Sequence, residues 1–173
     1  MGIESVVDFV NQAHEEIGKF SIEITLSPAK LMADEYCVEV LTWSSVKYGE
    51  AEANDVPNDR RGVYAFVVSH ENSVLPPNGC VLYIGIAGRD SDRSLRERYK
   101  DYLNERKILK RERIARMIGT WHEVLRFYFS PVGAETTAED LKTLEKQLNT
   151  ALLPKFSEGD LDAATKRKRR AFR

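Results

Sequence analysis

Two short apolar runs, 63–68 and 81–86, constrain this chain more than any other feature. Each is rich in the β-branched and aromatic residues that suit a pleated, buried strand, and each is too short for a core helix. The segment between them holds the turn formers Asn72, Pro76, Pro77, Asn78 and Gly79. The pair therefore reads as two antiparallel strands, at about 62–69 and 80–87, joined by a long hairpin connection. Each strand also carries a glycine beside a tyrosine, as Gly62-Val63-Tyr64 in the first and Tyr83-Ile84-Gly85 in the second. A hairpin that repeats such a pair asks for a reason.

After "GRDSDRS" the hydrophobic period changes from 2 to 3.6. Leu95, Tyr99, Tyr102 and Leu103 place one apolar stripe on a helix, with Asp92 or Ser94 as its N-cap. A strongly basic helix is expected over 107–118, and "HEVLRFYFSPV" alternates as a third strand. Thr136 or Thr137 caps a last helix, 138–153, with Leu141, Leu144, Leu148 and Leu152 inward and Pro154 as its stop. Upstream, Ile3, Val6, Val7, Val10 and Ile17 recur at helical spacing over 4–18. "FSIEITL" (20–26) alternates like a strand, Ser27-Pro28 opens a short helix, and 36–43 leans to strand. The expected fold is α+β, a small, mainly antiparallel three-stranded central sheet flanked by helices. The polar stretch "YGEAEANDVPNDRR" separates an acidic N-terminal extension (1–60) from a core domain (61–158), which a basic tail (159–173) follows.

A length of 173 residues suits one well-cored domain. With 42% hydrophobic and 31% charged residues the chain has an ordinary globular composition, and no apolar run approaches the roughly 20 residues of a membrane span. The N-terminal stretch carries acids where a signal peptide carries lysines, so secretion is not expected and a cytoplasmic setting is. Cys37 and Cys80 have no C-x-x-C partner and read as reduced thiols; His14, His70 and His122 are scattered, which argues against zinc. Charge is the more informative property. Residues 1–60 hold 4 basic and 12 acidic side chains, 93–116 hold 10 and 4, and 161–173 hold 6 and 1. A polyanion would be steered to the second half of the chain, although a solvated helix face and a soluble tail also explain the same bias.

Taken singly, Tyr64 and Tyr83 read as strand aromatics, Arg98 as a solvated cation, and Glu145 as an exposed partner of Lys142 or Lys146. As an ordered set they resemble the GIY-YIG nuclease superfamily. "GVY" (62–64) resembles the first signature and "YIG" (83–85) is the second as written. "SLRERYKDYL" is similar to the helix with the catalytic arginine, and its leucine–x–x–arginine spacing selects Arg98. "LEKQLNTALLPKF" is similar to the final helix, with Glu145 nine residues before Pro154. The resemblance spans about 61–157. Three departures stand out: Ser157 occupies the place of a frequent asparagine, Ile86 replaces a lysine found in one branch, and the chain is lengthened at "GRDSDR".

The resemblance implies a metal-dependent DNA endonuclease. Tyr64 is then the base or water-positioner and Tyr83 orients the site through its hydroxyl. Arg98 stabilises the negative phosphorane, for which a permanently charged planar fork is well matched. Glu145 is the one protein carboxylate on a magnesium (or manganese) ion otherwise bound by water and phosphate. Tyr102, one helical turn after Arg98, is a possible further member of the site. The basic helix (Lys107, Lys110, Arg111, Arg113) and the tail (Lys166, Arg167, Lys168) would hold backbone phosphates of DNA, with RNA also open. A partner protein or oligomer is left open. The rival expectation is a non-catalytic nucleic-acid-binding module of the same fold; a third is a nuclease whose residues 1–60 fill the cleft until a partner displaces them.

Overall fold

The sheet is organised around one strand that is buried on both faces. In chain order the elements are helix α1 (Ile3–Glu16), a 3₁₀ turn (Gly18–Phe20), α2 (Pro28–Leu31), strand β1 (Ser44–Lys47), a 3₁₀ segment (Ala51–Asp55), β2 (Gly62–Ser69) and β3 (Gly79–Ala87). There follow α3 (Leu95–Lys100), α4 (Glu105–Leu109), α5 (Glu112–Trp121), β4 (Leu125–Pro131), α6 (Ala138–Leu152) and α7 (Ala163–Ala171). The structure is a computed structural model and describes residues 3–32, 36–37, 40–70, 74–76, 79–157, 161 and 163–171. Parts of the hairpin connection (71–73 and 77–78, with Asn72, Pro77 and Asn78) and of the 36–43 stretch lie outside the described residues.

Among the described residues the sheet has four strands in the order β1-β4-β2-β3, each pair antiparallel. The α+β class and the antiparallel sheet agree with the sequence reading; the strand count does not. The additional strand is β1, from the N-terminal side of residue 61, and it pairs Ser44 with Phe129 and Lys47 with Arg126. Only Val46 of its four residues is buried, so it carries almost no alternation for the sequence to display. Conversely, the alternating stretch 20–26 forms no strand: beyond the 3₁₀ turn it is irregular, with Ile24 and Leu26 exposed. Alternation belongs to one chain segment, whereas a strand needs a neighbour's hydrogen-bonding edge.

β2 divides the core by its period of 2. Tyr64 and Phe66 face a layer containing Leu95, Tyr99, Tyr102, Met117 and Phe127, so α3 and α5 cover that face. Val63, Ala65 and Val67 face Ile84, Ile86, Leu141 and Leu144, so α6 covers the other. Each fully buried large side chain contributes about 1.5–3 kcal/mol by leaving water, which makes the aromatic layer a principal source of stability. On α6, Leu148 and Leu152 are half-buried against the second layer, as the leucine spacing predicts. The basic stretch forms two helices rather than one, because Arg111 leaves the helical conformation (φ −127°, ψ 82°) between α4 and α5.

The N-terminal helix forms where expected, but its stripe is exposed: Val6, Val7, Val10 and Ile17 all stand open to solvent. The next segment docks further on, where Phe20 meets Trp121 edge-on at 5.6 Å between ring centroids and Ser27 N–H donates to the Ala151 carbonyl at 3.1 Å. Ile22 and Ile24 then line an apolar groove with Trp121 and Val68. Among the described residues, no helix is long and apolar enough to cross a membrane.

Candidate functional site

The glycines beside the tyrosines have a geometric reason. Tyr64 lies directly across the β2–β3 ladder from Gly85. A Cβ at Gly85 would stand 2.6 Å from Tyr64 Cζ and collide with the ring. A Cβ at Gly62 would stand 3.0 Å from the Pro131 Cα and run into the Ser130 carbonyl. One glycine lets the Tyr64 ring lie flat on β3, and the other lets β4 approach β2.

Around that ring a polar chain crosses the aromatic layer. Arg98 Nε donates to the Tyr64 hydroxyl at 3.0 Å, and the Tyr64 and Tyr102 hydroxyls are 2.7 Å apart. The Arg98 guanidinium also lies 5.6 Å from the Tyr102 ring centroid, and Arg111 stacks over the same ring at 4.5 Å. Arg98 is positioned by α3, which begins at a capping box: Ser94 Oγ accepts the Glu97 N–H at 3.2 Å and Glu97 returns a bond to the Ser94 N–H at 2.8 Å. Ser94, not Asp92, is therefore the cap. Burial pushes the Tyr64 phenol well above its ordinary pKa, Tyr102 and Tyr83 push the same way, and Arg98 opposes them. A Tyr64 phenolate is disfavoured in this setting, so its hydroxyl is a hydrogen-bonding link between Arg98 and Tyr102.

A second set of contacts fixes the arginine from outside. Asp101, buried at the end of α3, accepts Lys107 Nζ at 2.6 Å and Arg93 Nη1 at 2.9 Å, with Arg98 Nη1 at 3.5 Å. Burial works against its ionisation, but the hydrogen bonds from Arg93 and Lys107 hold its pKa down at about 2. One carboxylate thus gathers three cations whose charges would otherwise repel one another.

The cleft lies at the β3 edge of the sheet, where α3 arrives from one face and α6 from the other. It encloses about 370 Å³, and its lining includes Tyr83, Arg89, Asp90, Arg93, Arg98 and Glu145. Tyr83, Arg98 and Glu145 are thus brought to one cavity from β3, α3 and α6. Tyr64 and Tyr102 are fully buried behind it. Tyr83 and Tyr64 have ring centroids 6.2 Å apart, so the half-buried phenol of Tyr83 is the one on the cavity side. Glu145 is 5% exposed and accepts a charge-assisted hydrogen bond from Arg89 Nη2. The described lining comes entirely from residues 83–145, with no contribution from 1–60.

Of the expected phosphate-binding cations, Lys107, Lys110 and Arg113 are exposed and Arg111 half-buried; in α7, Lys166 is half-buried and Arg167 exposed, while the Lys168 side chain lies outside what is described. Sequence reasoning missed Arg89, Arg93 and Asp101. Arg89 follows the glycines of "GIAGRD", and Asp101 is one of only 4 acids in a stretch with 10 cations, an imbalance that marks it as an organiser.

Ser157, in place of the frequent asparagine, is fully buried, and its hydroxyl accepts the Ile84 N–H at 2.9 Å. Phe156 N–H donates to the Leu82 carbonyl at 3.0 Å. Together they cover the outer edge of the strand that carries the "YIG" triplet.

The residue types implied by the resemblance fit a sparsely ligated ion. Among the described residues there is no group of three or more His, Cys, Asp or Glu side chains able to hold a metal. Magnesium that keeps most of its waters and takes other ligands from phosphate needs only one or two carboxylates, and Glu145 offers one at the cleft wall. Compared with known proteins, the chain matches no family model, no curated protein and no solved structure.

Proposed function

We propose that this chain is a metal-dependent endonuclease of GIY-YIG type that hydrolyses phosphodiester bonds in DNA. The observation that carries the reading is the convergence of Tyr83, Arg98 and Glu145 on one cleft. Phosphodiester hydrolysis needs a water whose proton is taken, a cation for the charge that develops at phosphorus, and help for the leaving oxygen. Tyr83 presents its phenol oxygen to the water, positions it and, as a phenolate that the nearby cations would favour, takes its proton. Arg98, aimed by Tyr64, Tyr102 and Asp101, stabilises the phosphorane without having to reorganise. Glu145 would hold magnesium or manganese, which would supply charge neutralisation for the phosphate and the leaving oxygen. Tyr64 and Tyr102 act as positioning residues, because the Tyr64 hydroxyl meets Arg98 and the Tyr102 hydroxyl, the Tyr102 ring lies against the guanidinium, and neither tyrosine lines the cleft.

The burial of Tyr64 and the Arg89 partner on Glu145 favour a second reading, a nucleic-acid-binding module that does no chemistry. Supercoiled plasmid incubated with magnesium, with manganese and with chelator decides between them. The endonuclease nicks or linearises plasmid only with metal. Glu145→Ala loses that activity but keeps its affinity for DNA in chelator, since without metal the carboxylate is held by Arg89 and contributes nothing to phosphate binding. Tyr83→Phe slows cleavage by about 100-fold or more, the scale of removing a group that acts at the proton-transfer step. Full cleavage by Glu145→Ala sinks the site; no cleavage under any metal leaves the binding module as the reading.

A further inference from the structure

The loop that leaves β3 is fastened to α6 at two points. Asp90 Oδ1 takes Lys142 Nζ at 3.0 Å, and Arg89 pairs with the Glu145 carboxylate. Lys142 and Glu145 stand three positions apart on α6 and so share a face. The two pairs have opposite polarity, loop acid to helix base and loop base to helix acid. They also differ in burial: the Glu145 side chain is 7% exposed and that of Arg89 is 47%. A carboxylate so far from water needs a counter-charge, whereas a half-exposed guanidinium can leave for solvent at little cost. Of the pair, the carboxylate is the member sealed from water and the guanidinium the member open to it.

We propose that Arg89 is a built-in competitor for Glu145: a divalent cation reaches the carboxylate by displacing the guanidinium, which then turns to a phosphate oxygen of the nucleic-acid backbone. This rests on the endonuclease reading above. A divalent ion and a guanidinium on one carboxylate oxygen repel each other at short range, so the two hold it by turns. The displaced fork is matched to a phosphate, on which it forms paired charge-assisted bonds. Metal and nucleic acid then bind cooperatively, because each favours the Arg89 position that the other needs.

The test is manganese titrated into chelator-stripped full-length protein, with the free ion followed by its paramagnetic resonance signal. Wild type is compared with Arg89→Ala, Arg89→Gln, Lys142→Met and Glu145→Ala. Both Arg89 variants are expected to bind manganese about tenfold tighter or more, within the about 10- to 100-fold by which neighbours of a metal ligand move affinity. Lys142→Met, which releases the loop but leaves Glu145 paired, is expected to match wild type. With manganese present, both Arg89 variants are expected to bind a DNA duplex more weakly than wild type. Unchanged or weaker manganese affinity in both Arg89 variants overturns the role of Arg89, as does an equal gain in Lys142→Met; the endonuclease reading survives either result if Glu145→Ala loses manganese. Manganese binding that persists in Glu145→Ala, or is absent from wild type, overturns both.

Discussion

Arg96 and Arg98 differ by two positions on one short helix and point to different parts of the molecule. Arg98 reaches the Tyr64 hydroxyl, whereas Arg96 Nε donates to the Val56 carbonyl at 2.7 Å and its Nη2 to the Asn54 carbonyl at 2.6 Å. Arg96 therefore clamps the 3₁₀ segment onto α3, and Arg98 serves the cleft. On the endonuclease reading, Arg98→Ala is expected to lower turnover at least about 100-fold, the scale of losing a transition-state charge partner. Arg96→Ala is expected to keep turnover and to lose about 1–3 kcal/mol of stability, the range for charged hydrogen bonds to backbone. Urea unfolding and single-turnover cleavage on both variants check the pair; a dead but stable Arg96→Ala reverses the roles. The leucine–x–x–arginine register picks Arg98 only through the resemblance, and helical period makes the same choice because Arg98 stands at i, i+4 from Tyr102 whereas Arg96 does not. Nothing in the sequence could show that Tyr64 is sealed behind the cleft, since burial depends on Tyr102, Phe127 and Gly85 arriving from elsewhere.

At the scale of elements, β3 is an edge strand of the sheet, and its outer edge needs cover. An uncovered edge offers unpaired backbone groups to other chains, and here residues 156–157 meet it at Leu82 and Ile84. The turn that brings them back is made where Leu153 takes a left-handed conformation (φ 43°) just before Pro154. Ser157→Ala leaves the buried Ile84 N–H without its hydroxyl partner and is expected to cost about 1–3 kcal/mol. Equilibrium urea denaturation measures this, and a loss below about 0.5 kcal/mol means that water replaces the hydroxyl. Elements with their own local signals were legible: α3 and α6 announce themselves through their apolar periods and alternative caps, of which Ser94 and Thr137 are the ones used, and β2 and β3 through dense apolar runs. Elements defined by a distant partner were not. β1 is a strand because β4 lies beside it, and 20–26 is none because no edge does. The stripe of α1 follows the same logic, for periodicity makes the helix without supplying what covers it.

Over the whole molecule, the basic side chains that gather around Asp101 continue from the cleft along α4, and α7 adds a second group of cations at the C-terminal end. If both groups hold phosphates, deleting 164–173 removes six cations. The plot of log affinity against log salt then flattens by about 0.9 for each phosphate that the protein ceases to neutralise. Fluorescence anisotropy with a labelled duplex at several salt concentrations measures the slope, and an unchanged slope makes the tail a bystander. The acidic stretch 1–60 contributes nothing to the described cleft lining, but its 3₁₀ segment packs on α3 beside Lys100 and Arg96, so the charge separation read from the sequence is only partly kept in space. The way the N-terminal part is held has a further, optical consequence. The chain has two tryptophans; Trp43 is already 39% exposed, while Trp121 is partly covered by the edge of Phe20. Emission from Trp121 therefore registers whether the first segment is seated, and the tyrosine-rich interior reports separately through its near-ultraviolet dichroism. A red shift of the emission that precedes loss of the aromatic dichroism during gentle denaturation resolves the peeling of that segment from the melting of the sheet, with no label attached.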